Sequence, residues 1–308
     1  MEEARNLYFD LSHFSLIRIS GEDATGFLQN QITADMYSLP DKGWLLSAWC
    51  LPNGRIITDF ILFSEDEHYL LVLPSMLREK VISKLAMYVL RSRVTIEDVS
   101  DDYAVMGLYG TGIDDVLNDI NLTLKDQRLI QADGVSIINL QDEVPRIMLI
   151  MKMDKASAKM NRILMACREG DRGHWSLLDI LSGIPWITEP TSESFLPQML
   201  NLDLTGGLSF EKGCYPGQEV IARLHYRSEA RKRLYLGSGK GDVIPGPGDE
   251  LEDATSGQLI GGIVDAEPDP DGGFRFLAAA NVNLEDTVKP GVRGSECEIV
   301  ELTPLFRK

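Results

Sequence analysis

Cysteine is scarce: four residues in 308, at positions 50, 167, 214 and 297. So few, so widely spaced, cannot build the disulfide framework of a small secreted scaffold. None forms a CxxC pair or stands near a histidine at zinc-ligand spacing, so no dedicated metal site is expected. Positive charge is short as well: 30 Lys and Arg stand against 47 Asp and Glu, a formal net charge of −17. Phosphate contacts need clustered cations, so direct nucleic-acid binding over a broad face is not expected. No apolar run approaches membrane-spanning length, and no membrane association is expected. The opening residues MEEARNLYFDLS are acidic and lack the apolar stretch of a secretory signal. Together these shortages point to a cytoplasmic protein in a reducing compartment.

What is present is ordinary for a globular chain. Hydrophobic residues make up 44% and charged residues 25%, a balance that supports a packed core. The length allows two or three domains. Phe14–Ser20 alternates as a half-buried strand, and a helix follows from about residues 21–23. Trp44–Cys50 and Arg55–Phe63 read as strands joined by Leu51-Pro52-Asn53-Gly54, with Asn-Gly as the hairpin signal. His68–Leu73 adds a strand. Ser75–Leu90 reads as an amphipathic helix capped by Ser75.

A second round follows without a detectable sequence repeat. It has strands at Val94–Val99, Tyr103–Tyr109, Val135–Leu140 and Arg146–Met151. Helices are expected at Gly112–Asp119, at Asp154–Glu169 with Asp154 as cap, and at Trp175–Ser182. Residues 189–219 carry few periodic signals but many apolar side chains, the mark of an ordered functional segment rather than disorder. Beyond residue 230 the pattern is all-β. Strands are expected at Arg233–Gly237, Asp249–Leu251, Gln258–Glu267, Phe274–Ala280 and Ser295–Glu301, a small barrel punctuated by Pro-Gly turns. The division is into residues 1–100, an N-terminal α+β region; 101–230, a second α+β region; and 231–308, the barrel.

Chemistry concentrates in Lys212–Glu219, KGCYPGQE. Gly213 and Gly217 permit close backbone approach or positive φ. Pro216-Gly217 favours a type II turn. Cys214 lies two residues from Lys212, whose charge would favour the thiolate, and Glu219 is positioned to pair with Lys212 or to meet a ligand. The alternative is a buried turn whose cysteine only fills space. Downstream, Arg223, Arg227, Arg231, Lys232 and Arg233, interrupted only by Glu229, form a basic stretch. It is either a local positive field or a solvated strand edge.

The run Gly206–Arg223, GGLSFEKGCYPGQEVIAR, resembles the signature of the YgfZ family of folate-binding proteins. Ile184-Pro185, Phe195-Leu196-Pro197-Gln198 and Asn201-Leu202 fit that family's upstream pattern. GEDATGFLQNQITAD, CLPNGR and LRSRV fit it near the N-terminus, where the pattern is shared with the aminomethyltransferase (T-protein) of the glycine cleavage system. The resemblance implies an α+β, T-protein-like fold: two intertwined α+β domains and a C-terminal β-barrel around a central hole. It implies tetrahydrofolate or a derivative as ligand, and iron–sulfur proteins or their assembly factors as partners, among them tRNA-thiolating enzymes. One-carbon chemistry is the setting.

Cys214, Lys212 and Asp59 are then the candidate catalytic residues. Trp175 lies where the family has a folate-contacting Trp, and Phe14 stands where it can have another. A pterin needs a flat apolar slot with a few polar partners, and Gln29, Gln31, Tyr215, Gln218 and Glu219 are candidates beside those aromatics. Trp175 reads equally as a core residue. Arg223 or Arg227 would receive the anionic folate tail. The alternative function is a folate-dependent aminomethyltransferase. That family has an Asp-Asp pair where this chain has Thr58-Asp59, and it lacks the KGCY element. Both departures count against transfer.

Overall fold

The computed structural model describes residues 6–124, 127–140, 142–227, 230–282, 284 and 288–306; Glu229 and the side chain of Arg227 lie outside the described residues. The chain begins with β1 (Leu7–Asp10), β2 (Phe14–Ser20), α1 (Ala24–Gln29), α2 (Leu39–Lys42), β3 (Trp44–Cys50), β4 (Ile56–Glu65), β5 (His68–Pro74), α3 (Arg78–Ala86) and β6 (Thr95–Asp98). It continues through β7 (Tyr103–Tyr109), α4 (Ile113–Asp119), β8 (Leu129–Ala132), β9 (Val135–Asn139), β10 (Arg146–Lys152), α5 (Met153–Ala166), β11 (Arg168–Glu169), α6 (Arg172–Leu181) and α7 (Gln218–Arg227). It ends with β12 (Lys232–Lys240), β13 (Glu250–Asp253), β14 (Leu259–Pro268), β15 (Phe274–Asn281), β16 (Pro290–Val292) and β17 (Glu298–Pro304).

The residues separate into two compact units. One holds residues 1–24, 37–45 and 61–175, and the other 25–36, 46–60 and 176–308. Both are therefore discontinuous in sequence.

The first unit contains the six-stranded sheet β11-β1-β7-β10-β9-β8. Along β7 the side chains alternate: Met106 and Leu108 enter a core with Ile147, Leu149, Val116, Leu117 and Ile163, which α4 and α5 cover. Each such aliphatic, fully buried, contributes roughly 1.5–3 kcal/mol. Gly107 faces the other way, and a Cβ there would lie 2.3 Å from the Trp175 ring. In the sheet β3-β4-β5-β2-β6, Leu70–Leu73 are all fully buried. Both faces of β5 are covered, so its sequence is a continuous apolar run rather than an alternation. β2 is likewise buried along most of its length, not half-exposed as its alternation suggests.

The second unit carries the closed barrel β12-β15-β14-β13-β16-β17. Leu251, Ile260, Ile263, Phe274 and Phe276 fill it. The fold is thus mixed α+β with a C-terminal six-stranded barrel.

Several local expectations need correction. Ser75 opens a 3-10 turn and caps nothing with its side chain; α3 starts at Arg78 and stops at Ala86, ahead of Leu90 at φ +43°. Asp154 lies inside α5 rather than at its cap, and α5 stops at Ala166 because Arg168–Glu169 pairs in parallel with Leu7–Tyr8. Short strands β1, β8, β11 and β16 carry two to four residues each, too few for a periodic signal. The basic stretch from Arg223 begins on a helix, α7, not on a strand edge.

Candidate functional site

The KGCYPGQE segment lies in the second unit and is built around a tight turn. Gly217 has φ +83°, and the Gln218 N–H donates to Tyr215 O at 3.2 Å. With Pro216 and Gly217 between them, this is the type II turn that Pro-Gly encodes. The turn runs directly into α7, where Ile221 N–H donates to Gly217 O at 3.1 Å. Gly217 is also pressed against the hairpin turn at residues 51–54: an added Cβ would meet Leu51 O and Gly54 Cα, both at 2.6 Å. Gly54 itself has φ +83°. Two sequence-distant turns are thereby clamped together through glycines. Gly213 has no such constraint: it is absent from the positive-φ set, and a Cβ there would meet nothing.

Lys212 reaches inward. Its Nζ donates to Ile32 O at 2.8 Å and Ala34 O at 2.7 Å. It also lies 5.2 Å from the centre of the Tyr215 ring. Burial lowers its pKa to about 8, with nearby Asp35 acting in the opposite direction. Of the two roles open to Glu219, pairing with Lys212 does not form: the ammonium binds carbonyls, while Glu219 is exposed at the start of α7. Gln218 closes the segment, its Nε2 donating to Lys212 O at 3.3 Å.

Tyr215 is buried, and its hydroxyl has no hydrogen-bond partner among the described residues. Burial, and secondarily Cys50, raises its pKa. Cys214 between these two anchored residues is exposed, whereas Cys50, Cys167 and Cys297 are buried. The segment therefore holds its backbone from both sides and presents one thiol outward. Arg223 is exposed one turn and more along α7. Beside it His225 stacks on Phe210 at 3.7 Å between centroids with a 14° interplanar angle. The Arg227 side chain lies outside the described residues.

A buried carboxylate belongs to the same unit. Asp59 is completely buried; its Oδ1 accepts from Ile187 N–H at 2.8 Å, and its Oδ2 has no partner among the described residues. Burial raises its pKa to about 7; backbone hydrogen bonds oppose that, and the Asp179 carboxylate adds to it. Asp179 is buried too and accepts from Trp186 Nε1 at 2.9 Å. Thr58 is also buried and donates to the Asp59 carbonyl at 2.9 Å. A carboxyl of this kind holds its proton near neutrality.

The remaining candidates are placed elsewhere or are committed. Gln29 donates to Asp35 Oδ1 at 2.9 Å and accepts from Met36 N–H at 2.8 Å. Gln31 accepts from Trp49 Nε1 at 3.4 Å. Neither faces solvent; they order the segment whose carbonyls receive Lys212. Trp175 belongs to the first unit and is fully buried. Phe9 packs at 5.3 Å between ring centres, the Arg146 guanidinium sits 5.0 Å from the ring, and Gly107 admits its edge. Phe14, also in that unit, is buried on β2 and edges a cavity of about 750 Å³.

Sequence reasoning missed Asp179, and it noted Asp35 and Gln198 only as members of the motifs GEDATGFLQNQITAD and FLPQ, with no role assigned to either. Gln198 donates to Ile221 O at 2.7 Å and so ties the Pro197–Leu200 turn to α7. Their roles are hidden because Asp179 acts on Asp59 and Asp35 on Lys212 from distant parts of the chain.

The GCVT N-terminal domain family matches residues 4–139. The tRNA-modifying protein YgfZ of Pectobacterium atrosepticum is 32% identical over 79% of this chain and 73% of that protein. The tRNA-modifying protein YgfZ of Edwardsiella ictaluri is 32% identical over 94% of this chain and 88% of its own length. Among solved structures, the glycine cleavage system aminomethyltransferase T of Bartonella henselae superposes with a TM-score of 0.78. It covers 98% of this chain and 85% of its own at 18% identity, which establishes a shared fold. With its clamped KGCYPGQE turn, its T-protein fold and relatives at this level of identity and coverage, the chain belongs to the YgfZ family.

Proposed function

We propose that this protein is a tetrahydrofolate-binding accessory factor that supports iron–sulfur cluster assembly or repair, and through it iron–sulfur enzymes such as those that thiolate tRNA. The observation that carries the reading is the presentation of Cys214 as an exposed thiol on a turn held by Lys212 and Gly217, in a chain of the YgfZ family. The curated relatives are named as tRNA-modifying proteins. With a net charge of −17, a role acting on tRNA through a client enzyme suits this chain better than direct contact.

The residues present fit a folate-class ligand in part. Among the described residues Tyr215 OH, Asp59 Oδ2 and, in the first unit, Trp175 Nε1 are buried polar atoms without partners, and a pterin carries donors and acceptors that would satisfy such atoms. Exposed Arg223 is the proposed partner of the glutamate tail. Gln29 and Gln31 are engaged in internal hydrogen bonds, which favours Tyr215 and the α7 face as ligand contacts over those two. When bound, tetrahydrofolate supplies one-carbon chemistry. The chain's part is to orient it, to hold a proton at Asp59 and to offer the Cys214 thiol. Aminomethyl transfer is disfavoured because Thr58 stands where the T-protein has a carboxylate.

The test is genetic. Cells lacking this protein are complemented with wild type, Cys214→Ala or Arg223→Glu, and thiolated tRNA and iron–sulfur enzyme activity are measured. Restoration by wild type and not by Cys214→Ala is expected. Full restoration by Cys214→Ala contradicts the role of the thiol, and folate-dependent ammonia release from an aminomethyl-lipoyl donor protein contradicts the accessory reading.

A further inference from the structure

The first unit contains a cavity of about 750 Å³, edged by Phe14 but by none of Tyr215, Asp59, Cys214 or Arg223, on which the folate reading rests. One wall is a stripe of α5. Met153, Met160 and Leu164 line the cavity at spacings of seven and four residues, which places them on one helix face. Met153 and Leu164 are 51% and 40% exposed, while Met160 between them packs partly on the core beneath. Met76 faces the cavity from the turn before α3 and is 52% exposed. Unbranched thioether side chains of this kind adapt to the shape of a bound apolar group.

The charged part of the lining is mainly acidic. Among the described residues Asp10, Asp101 and Glu169 contribute three carboxylates, and Arg78 is the one lining cation. That guanidinium is already engaged, 3.1 Å from Asp98 Oδ2. Arg18 and Lys152 line an adjoining cleft that shares Asp101 and Met153, and they are paired with Glu97 and Glu65. The cavity thus combines an adaptable apolar wall with an excess of carboxylates. Its volume lies inside the range of about 300–1,000 Å³ typical of small-molecule sites, which favours a compact ligand over a protein helix.

We propose that this cavity is a binding site for a small organic cation: a protonated amine on an apolar body, with the body against the α5 methionines and the ammonium among Asp10, Asp101 and Glu169. The same charge disfavours anions, so the glutamate tail of a folate is not its occupant.

The probe is 2-phenylethylamine, with 3-phenylpropionate as an anion of matching size. The full chain carries ¹³C-methyl methionine, and the ε-methyl signals of Met76, Met153 and Met160 are followed during titration. Saturable shifts of these three signals with the amine, and none with the carboxylate, are expected. Asp10→Asn/Glu169→Gln, whose fold is checked by its unchanged remaining methionine signals, weakens amine binding by at least about tenfold. Equal response to both probes, no saturable response, or unaltered affinity in the double variant overturns the proposal. Tetrahydrofolate titrated into the same sample reads the folate function separately, so either reading can fail without the other.

Discussion

Gly54 and Gly217, 163 positions apart, meet so closely that a Cβ on Gly217 would lie 2.6 Å from the Gly54 Cα. Both have φ +83°, a region that side chains with a Cβ rarely occupy. This contact seats the turn that carries Cys214. Gly217→Ala must therefore move a backbone, not merely a flexible side chain. It is expected to cost on the order of 2 kcal/mol, read as a lower midpoint in urea. Gly213→Ala, where a Cβ meets nothing, is expected to leave the midpoint unchanged.

Lys212 closes the other side of the segment. Lys212→Met keeps the stem but strands the carbonyls of the buried residues Ile32 and Ala34. A loss of about 1–3 kcal/mol is expected in thermal or urea unfolding. Lys212→Arg is expected to recover part of it, because a guanidinium still donates to carbonyls but does not match a single ammonium position.

Asp59 gives the protein a pH signature. Its carboxyl is raised from 3.8 to about 7 by burial. Between those two values the folded state holds a proton that the unfolded state has lost. Its contribution to stability is therefore greatest at low pH and falls as pH rises from about 4 to about 7. Asp59→Asn removes this slope, because the amide oxygen still accepts from Ile187 N–H while no ionisation occurs. Unfolding midpoints of the two proteins are expected to converge near pH 4 and to separate, with the variant the more stable, above pH 7.

Thiol chemistry distinguishes Cys214 from the other three cysteines. Under native conditions one equivalent of thiol is expected to react rapidly with Ellman's reagent, and the remaining three only after unfolding, since they are buried. Cys214→Ala is expected to abolish the rapid phase without moving the unfolding midpoint.

Much of this was legible in the sequence. Strands such as Phe14–Ser20, Trp44–Cys50 and Tyr103–Tyr109 were readable to the residue because β-branched and aromatic positions cluster there. The Pro216-Gly217 turn was readable because only two residue types satisfy it. Helix starts were less legible: Ser75 and Asp154 are residue types that cap helices, yet neither does so here. The helix over Gln218–Arg227 was hidden because it is short and starts directly on the Pro216-Gly217 turn, inside a stretch read for its basic residues. The partners of the site were hidden most deeply. That Lys212 would bind the carbonyls of residues 32 and 34, rather than Glu219, follows from chain segments 178 and 180 positions away, which no local spacing encodes.

The central claim is folate binding, and calorimetric titration of the purified protein with tetrahydrofolate tests it most directly. The account predicts saturable one-to-one binding that is weakened in Arg223→Glu. The absence of any saturable heat with reduced folates, from a protein whose unfolding transition is intact, would contradict it.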